Sequence, residues 1–276
     1  MKKSSRIMLW GWFGFENLGD DLLLDTMLKH LHGEITVPME TPYKIQNVTQ
    51  VKYSYKEFLS GALHNDTVII GPGGLFPVDK QYKALLYLLI TRLWALMGRK
   101  VIFFGIGISE KMSDFSSILW RKMAKSAVLF LPRSEKILER IGIEESEKIH
   151  SMADCVFASE PAKEQEYIDE NRVAISVANL NNLKYENKSA FDDAVSKWSD
   201  VVRGLVKKGF SVDLIAFTKG ADDRLVDAIL TDLGNCADGG GASYILRNGG
   251  RRFRWLEEIQ ICDMHAVSLA CLICFE

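Results

Sequence analysis

Short apolar strands that run into glycine-rich turns and then into helical patterns most constrain the fold of this chain. Such strands occur at Arg6–Trp10, Thr67–Ile70 and 100–104, and a fourth apolar strand at 127–131 runs into Pro132 and Arg133. Leu24, Met27 and Leu28 fall on one face of a helix, and further helices are predicted at about 80–97, 114–125 and 134–141. Alternating strands and helices favour a parallel sheet with helices on both faces. Ligands bind such sheets at the carboxyl ends of the strands.

The second half of the chain starts a new α/β run after a polar stretch. Residues 161–171 are mostly polar and charged, which predicts a linker. Strands follow at 172–177 and 211–217, with helices at 191–208 and 221–233. We therefore expect an N-terminal Rossmann-like domain at 1–160 and a C-terminal one at 172–276. The C-terminal domain has few strands, so we expect its end to be truncated or divergent.

Charge and cysteine usage exclude several classes of protein. The formal net charge is −2, so no basic field is present to attract nucleic acid, and we expect no nucleic-acid partner. Five cysteines form no paired framework. The one CxxC, Cys271 and Cys274, lacks a second pair at zinc-finger spacing, which favours reduced cytosolic thiols over a metal site. We expect no metal and no cofactor.

Two apolar runs in the sequence bear on where in the cell the protein is located. The N-terminal run is short, contains Gly11 and Gly14 and lacks a cleavage site, so it indicates a buried first strand and not a signal peptide. The run at 84–97 contains Arg92 and is shorter than the roughly 20 residues needed to span a bilayer. It predicts a buried helix with room for a weak membrane contact. We expect a cytoplasmic protein, with any such contact at the inner face of the membrane.

The first motif, GWFGFENLGDD at 11–21, lies between a strand and a helix. Gly14 and Gly19 allow close approach of the backbone to a ligand. Asp20 is placed to cap the helix, and the N–H groups at a helix start favour a bound anion. An ordinary strand–helix turn explains the same residues equally well.

Glycines also follow the next two strands. The second motif, VIIGPGGLF at 68–76, places Gly73 and Gly74 after an apolar strand, where they could wrap closely round a ligand or form a tight turn. Pro72 removes one N–H donor from this run. The third motif, GIGI at 105–108, contains Gly107 and is weak by itself.

The fourth motif places Arg133 just after a predicted strand, in LPRS at 131–134. An arginine there can hold a carboxylate or phosphate with two parallel hydrogen bonds. The alternative is a solvated surface arginine.

Taken in order, these motifs resemble the polysaccharide pyruvyltransferase family. The likeness rests on the G-x-x-G-x-x-N-x-G-D segment with Gly14, Asn17, Gly19 and Asp20, on the two later glycine turns, and on Arg133. Ser134 stands where the family usually has Asp. Ala153-Asp154 matches a similar pair before the second domain, where we expect Asp154 to bond backbone. The resemblance covers about residues 6–217 well and the remainder poorly.

The resemblance implies a fold, a donor and an acceptor. The fold is two Rossmann-like domains facing a cleft in a GT-B-like arrangement. The donor is phosphoenolpyruvate, and the acceptor is a glycan or a lipid-linked saccharide. A general acid protonates the methylene carbon, a sugar hydroxyl attacks C2, phosphate leaves, and a second hydroxyl closes a ketal. Arg133 would contact an anion, and Asn17–Asp20, Gly73, Gly74 and Gly107 would shape the site.

His265 is the candidate acid that the resemblance supports. The family places an Arg-x-His motif in this region, but Asp263 stands here in the position of its arginine. Two alternatives therefore stay open. One is a GT-B glycosyltransferase that uses a nucleotide sugar, and the other is an inactive or truncated member of the family.

Overall fold

The computed structural model describes residues 5–74, 81–108, 112–158, 171–177 and 188–234. The chain divides into two compact units. The first comprises Met1–Phe15 and Gly19–Glu160, and the second comprises Glu16–Leu18 and the chain from Pro161 onward. The predicted linker lies outside the described residues except for Asn171, and the segment 235–276 lies outside them entirely.

Six parallel strands form the sheet of the first unit, in the order β3-β2-β1-β4-β5-β6. The strands are β1 (Arg6–Trp10), β2 (Glu34–Met39), β3 (Val48–Lys52), β4 (Thr67–Ile70), β5 (Lys100–Ile106) and β6 (Leu129–Pro132). Ile7 on β1 lies opposite Ile35 on β2 and Thr67 on β4. The chain therefore leaves β1 in one direction through β2 and β3 and returns to its other side at β4. This Rossmann-like order confirms the predicted α/β class.

Helices cover both faces of this sheet. They are α1 (Leu18–His30), α2 (Tyr55–His64), α3 (Gln81–Leu96), α4 (Asp114–Ser126) and α5 (Glu135–Ile141). On one face, Leu24 of α1 packs in a buried cluster with Leu9 and Val37 of the strands. On the other face, the ring centroid of Phe58 on α2 lies 4.2 Å from that of Trp10 and 4.6 Å from that of Trp94 on α3. Large aromatic rings thus fill the space between this face of the sheet and its helices, where they bury much apolar surface.

Local signals in the sequence explain where two of the helices begin or end. The Ser113 hydroxyl accepts the Ser116 N–H at 3.3 Å and caps the start of α4. Gly142 has φ of 64° and ends α5 in the left-handed conformation that glycine adopts most easily. Predicted boundaries differ from the observed ones by a few residues: β5 extends to Ile106, and β6 begins at Leu129.

Three elements went unpredicted, namely β2, β3 and α2. Pro38 lies within β2 and weakens its strand signal, since proline cannot donate to a ladder. β3 is an edge strand and carries the mixed sequence VTQVK, without a buried apolar run. Gly61 interrupts the pattern of α2, yet a Cβ there would overlap the Met8 sulfur, so glycine permits close helix–strand packing.

The described part of the second unit is a β–α–β–α segment. It contains β7 (Arg172–Ser176), α6 (Lys188–Lys207), β8 (Ser211–Ile215) and α7 (Asp222–Gly234), with β7 and β8 parallel. Val202, Leu214 and Ile229 belong to its buried cluster. Within this unit, the Leu18 N–H also donates to the Phe217 carbonyl at 3.0 Å. Across the described residues of both units, no helix combines the length and the apolar character needed to cross a bilayer.

Candidate active site

The carboxyl ends of β1 and β4 meet where the strand order reverses. In open α/β sheets this switch point opens a crevice, because the loops after the two central strands run to opposite faces. The loop after β1 leads to Asp20, and the loop after β4 contains Gly73. Arg133 follows β6 directly, at the same edge of the sheet.

The start of α1 differs from the sequence prediction. The helix begins at Leu18, so Asp20 lies in its first turn and is not the capping residue. Glu16 adopts φ of 59° just before the helix. The helix starts three residues earlier than a cap at Asp20 would place it. A carboxylate in the first turn still lies near the positive end of the helix dipole.

Gly73 brings the β4 loop against Asp20. A Cβ built on Gly73 would lie 2.7 Å from Asp20 Oδ1, and the backbone there has φ of 108°, which side chains rarely adopt. The Gly73 N–H donates to the Gly105 carbonyl at 3.2 Å, and the Gly107 N–H donates to the Gly73 carbonyl at 3.0 Å. The second and third glycine motifs are thus bonded to each other beside Asp20.

Arg133 lies across Gly107 and pairs with Asp154. A Cβ on Gly107 would lie 2.7 to 3.0 Å from the Arg133 guanidinium, so glycine makes room for the side chain. Arg133 NH1 donates to Asp154 Oδ2 at 3.2 Å, and the Arg133 side chain is only 19% exposed. Arg133 is therefore not the solvated surface arginine of the alternative interpretation.

Asp154 has a second role that the sequence indicated. Its Oδ1 accepts the Val156 N–H at 3.1 Å at the start of a short 3-10 helix, Cys155–Ala158, as expected of a residue that bonds backbone. Its pairing with Arg133, 21 positions away, was not predicted, because nothing in the sequence between them marks the contact. The Cys155 thiol next to it is buried, and burial raises its pKa to about 12.

The surroundings of Asp20 at this edge shift its pKa strongly. Its partial burial, followed by the negative charge of Asp21, raises its pKa to about 7, with Asp154 adding to the rise and Arg133 opposing it. A carboxyl group with this pKa exchanges a proton near neutral pH. Sequence reasoning assigned Asp20 a binding role and missed this property, which depends on neighbours distant in sequence.

The other predicted site residues have separate positions. The Gly14 N–H donates to Asp21 Oδ1 at 2.9 Å, which fixes the loop after β1. Gly19 lies in the first turn of α1, and Gly74 is exposed after Gly73. Asn17 forms an antiparallel bridge with Thr218 within the second unit. His265 lies outside the described residues.

Aromatic rings of the same loop form a cluster that sequence reasoning did not single out. The rings of Trp12 and Phe15 stack with centroids 3.7 Å apart, and the edge of Phe15 meets Tyr53 at 4.9 Å. Trp12 is 42% exposed. The signal was visible, since aromatic residues occupy positions 12, 13 and 15 of the first motif.

These residues provide three chemical elements at one edge of the sheet. Arg133 supplies a fixed positive charge, Asp20 can hold or release a proton near pH 7, and Trp12 offers an exposed ring. Such a set suits a reaction that combines anion binding with proton transfer.

Comparisons with known proteins give the family. A search of curated proteins finds no match. A solved structure of an "alpha-glucosyltransferase in complex with UDP and a 13-mer DNA containing a central A:G mismatch" is similar at 12% sequence identity and a TM-score of 0.43. The likeness covers 83% of this chain but only 60% of that chain. The family model "Polysaccharide pyruvyl transferase" matches residues 17–265, and the chain therefore belongs to the polysaccharide pyruvyl transferase family.

Proposed function

We propose that the protein transfers a pyruvyl group from phosphoenolpyruvate to hydroxyl groups of a cell-surface polysaccharide or its precursor, forming a ketal. The observation that carries the proposal is the family match together with Arg133, Asp154 and Asp20 at the same edge of the sheet. The acceptor is a glycan or a lipid-linked saccharide, and the reaction takes place in the cytoplasm.

Arg133 would bind the donor through one of its two anionic groups. Phosphoenolpyruvate has a carboxylate and a phosphate, and a guanidinium binds either with parallel hydrogen bonds. Asp154 orients the guanidinium through the 3.2 Å contact, and Gly107 lets it lie close to the backbone. Protonation of Asp20 would reduce the negative charge that a bound anion meets.

Asp20 would take part in proton transfer. In the reaction a proton adds to the methylene carbon of phosphoenolpyruvate, and C2 gains cationic character. A sugar hydroxyl oxygen bonds to C2 and loses its proton, and phosphate leaves with the electrons of its bond to C2. A second hydroxyl oxygen then forms the other bond to C2, and its proton passes to the released phosphate. A pKa of about 7 suits a group that donates a proton near neutral pH. His265 stays a predicted acid of the same reaction.

Trp12 would contact the acceptor. Its exposed ring is braced by Phe15 at 3.7 Å, which leaves a flat apolar surface of the kind that the C–H faces of a sugar can cover. We expect Trp12→Ala to raise the KM for the acceptor and to leave donor binding unchanged. Steady-state kinetics with a fixed donor concentration checks this, and an unchanged KM would remove Trp12 from the acceptor site.

Thermal stabilisation by phosphoenolpyruvate tests the donor site. A ligand that binds only the folded protein adds about 2.7 kcal/mol of stability at a hundred times its Kd. We expect the donor to raise the Tm of the parent protein and not that of Arg133→Ala. Arg203→Ala is the matched control, because it also removes an arginine paired with carboxylates, on α6 of the second unit.

Two results would contradict the proposal. A rise in Tm with a UDP-sugar, together with no rise with phosphoenolpyruvate, would support glycosyl transfer instead. A shift with phosphoenolpyruvate that persists in Arg133→Ala would exclude Arg133 from the donor site.

A further inference from the structure

The outer surface of α3 is apolar. Four leucines lie along it and are strongly exposed: Leu85 (39%), Leu89 (58%), Leu93 (50%) and Leu96 (86%). Between residues 85 and 96, Arg92 is the one exposed side chain that is not apolar. The opposite side of α3 is buried with Tyr87, Leu88 and Trp94 in the core. The helix is thus apolar on both its inner and its outer side.

Neighbouring helices extend this surface. On α2, which touches α3 through the rings of Phe58 and Trp94, Leu59 and Leu63 are 48% and 58% exposed. On α4, Phe115 and Ile118 are 48% and 46% exposed. We call the exposed apolar side chains of these three helices the leucine face: Leu59, Leu63, Leu85, Leu86, Leu89, Leu93, Leu96, Phe115 and Ile118.

An apolar surface of this kind marks a binding surface. Monomeric soluble proteins rarely expose contiguous apolar patches larger than a few hundred Å². A helix that is apolar all round is normally covered, by protein or by lipid. Most of the large exposed apolar side chains in the described chain belong to this single face of the sheet.

The charges around the leucine face are predominantly basic. The described side chains of α2, α3 and α4 include two acidic residues, Glu57 and Asp114. They include five basic ones: Lys56, Arg92, Arg121, Lys122 and Lys125. This excess occurs in a chain whose formal net charge is −2. On α1, which covers the other face of the sheet, Asp20, Asp21 and Asp25 outnumber Lys29.

We propose that the leucine face binds the surface of an anionic lipid membrane, with α3 lying in the interface. Apolar side chains facing the acyl boundary, with basic side chains nearby, are the pattern of helices that lie in a membrane surface. Arg92 can extend its charged end to the headgroups while its stem stays among leucines. Lys122 and Lys125 add attraction to anionic lipid.

The charge pattern disfavours a second copy of the chain as the occupant. A two-fold symmetric contact places the same surface on both sides. Basic side chains such as Arg92, Lys122 and Lys125 would then lie on both sides of the contact, and the repulsion between like charges would oppose the apolar contact. Anionic headgroups complement the same charges.

This inference is independent of pyruvyl transfer, because it uses no residue of the candidate active site. Vesicle flotation of the full chain tests it. We expect binding to phosphatidylcholine vesicles that contain about one third phosphatidylserine, and little binding to phosphatidylcholine alone. High salt should weaken the binding, since it screens the basic side chains.

Matched variants separate the apolar and the basic contributions. Leu89→Ser with Leu93→Ser should reduce the bound fraction at least about tenfold, because two buried apolar contacts are lost. Val201→Ser, on an exposed position of α6, is the control and should bind like the parent protein. Lys122→Glu should weaken binding, and Lys29→Glu on α1 should not.

Three results would overturn the proposal. One is the absence of parent binding to anionic vesicles. Another is unchanged binding by the leucine double variant. The third is a dimer in analytical ultracentrifugation that the double variant dissociates, without vesicle binding, which would identify a second copy as the occupant. A large drop in Tm for the double variant, again without vesicle binding, would instead mean that another segment of this chain covers the leucine face.

Discussion

At the scale of single residues, the chemistry depends on how Asp20 and Arg133 meet neighbours distant in sequence. Burial and then the negative charge of Asp21 raise the pKa of Asp20. A hydrogen bond to Asp154 orients the Arg133 side chain. Each residue alone has an ordinary structural explanation. Only the tertiary structure brings the proposed proton donor and the proposed anion contact to one edge of the sheet.

The raised pKa of Asp20 predicts a specific pH dependence of stability. The folded pKa of about 7 lies above the ordinary value of 3.8. Between these pH values the folded protein holds a proton that the unfolded chain has released, so the free energy of unfolding falls as pH rises. Asp20→Asn cannot titrate and should lack this fall, which we expect to be about 1 to 4 kcal/mol.

Urea denaturation near pH 4.5 and near pH 8 measures this difference. Asp192→Asn, on an exposed position of α6, is the control and should keep the pH profile of the parent protein. Parallel profiles for the parent protein and Asp20→Asn would show that Asp20 has an ordinary pKa.

At the scale of elements, two glycines with different surroundings should respond oppositely to the same substitution. Gly73 has φ of 108°, and a Cβ there would meet Asp20 at 2.7 Å. Gly204 lies within α6, and a Cβ there would meet nothing within 4 Å. The turn after β4 therefore requires glycine, and the helix does not.

We expect Gly73→Ala to destabilise the protein by roughly 1 to 3 kcal/mol, through backbone strain and the contact with Asp20. Gly204→Ala should stabilise it by roughly 0.5 to 1 kcal/mol, because alanine loses less backbone entropy in a helix. Denaturation curves of both variants measure these changes in the free energy of unfolding. Equal effects at the two positions would mean that the turn after β4 is less constrained than its geometry indicates.

At the scale of the whole molecule, each unit has its own core. The two clusters of the first unit contain described residues only up to Val156, and the cluster of the second unit begins at Ile175. The clusters share no residue. A cavity in one core should therefore loosen the elements of that unit first.

Hydrogen exchange can detect this separation. Ile229 is fully buried in the second unit, and Ile229→Ala should cost about 2 to 5 kcal/mol there. Amides of β7, β8, α6 and α7 should exchange faster, while those of β1, β4 and β5 should not change. Phe103→Ala in the first unit should give the reverse pattern. Faster exchange throughout the chain for Ile229→Ala would show that the units unfold together.

The sequence by itself determined the alternation of strands and helices, the glycine turns at the strand ends, and a family resemblance that the family match confirmed. These are local properties: runs of apolar residues, helical periodicity and turn residues. The strands β2 and β3 were not predicted. Pro38 interrupts the pattern of β2, and the mixed polar and apolar sequence of β3 lacks an apolar run.

Only the tertiary structure decided which of the predicted residues act together. It placed Gly73 against Asp20, Arg133 across Gly107, and Asp154 beside Arg133, and it moved the start of α1 to Leu18. It also left five leucines of α3, all except Leu88, outside the core, where the sequence predicted a buried helix. The physical reason is the same in each case. Burial, charge pairing and exposure depend on residues that the order of the strands brings together. No local sequence pattern predicts that order.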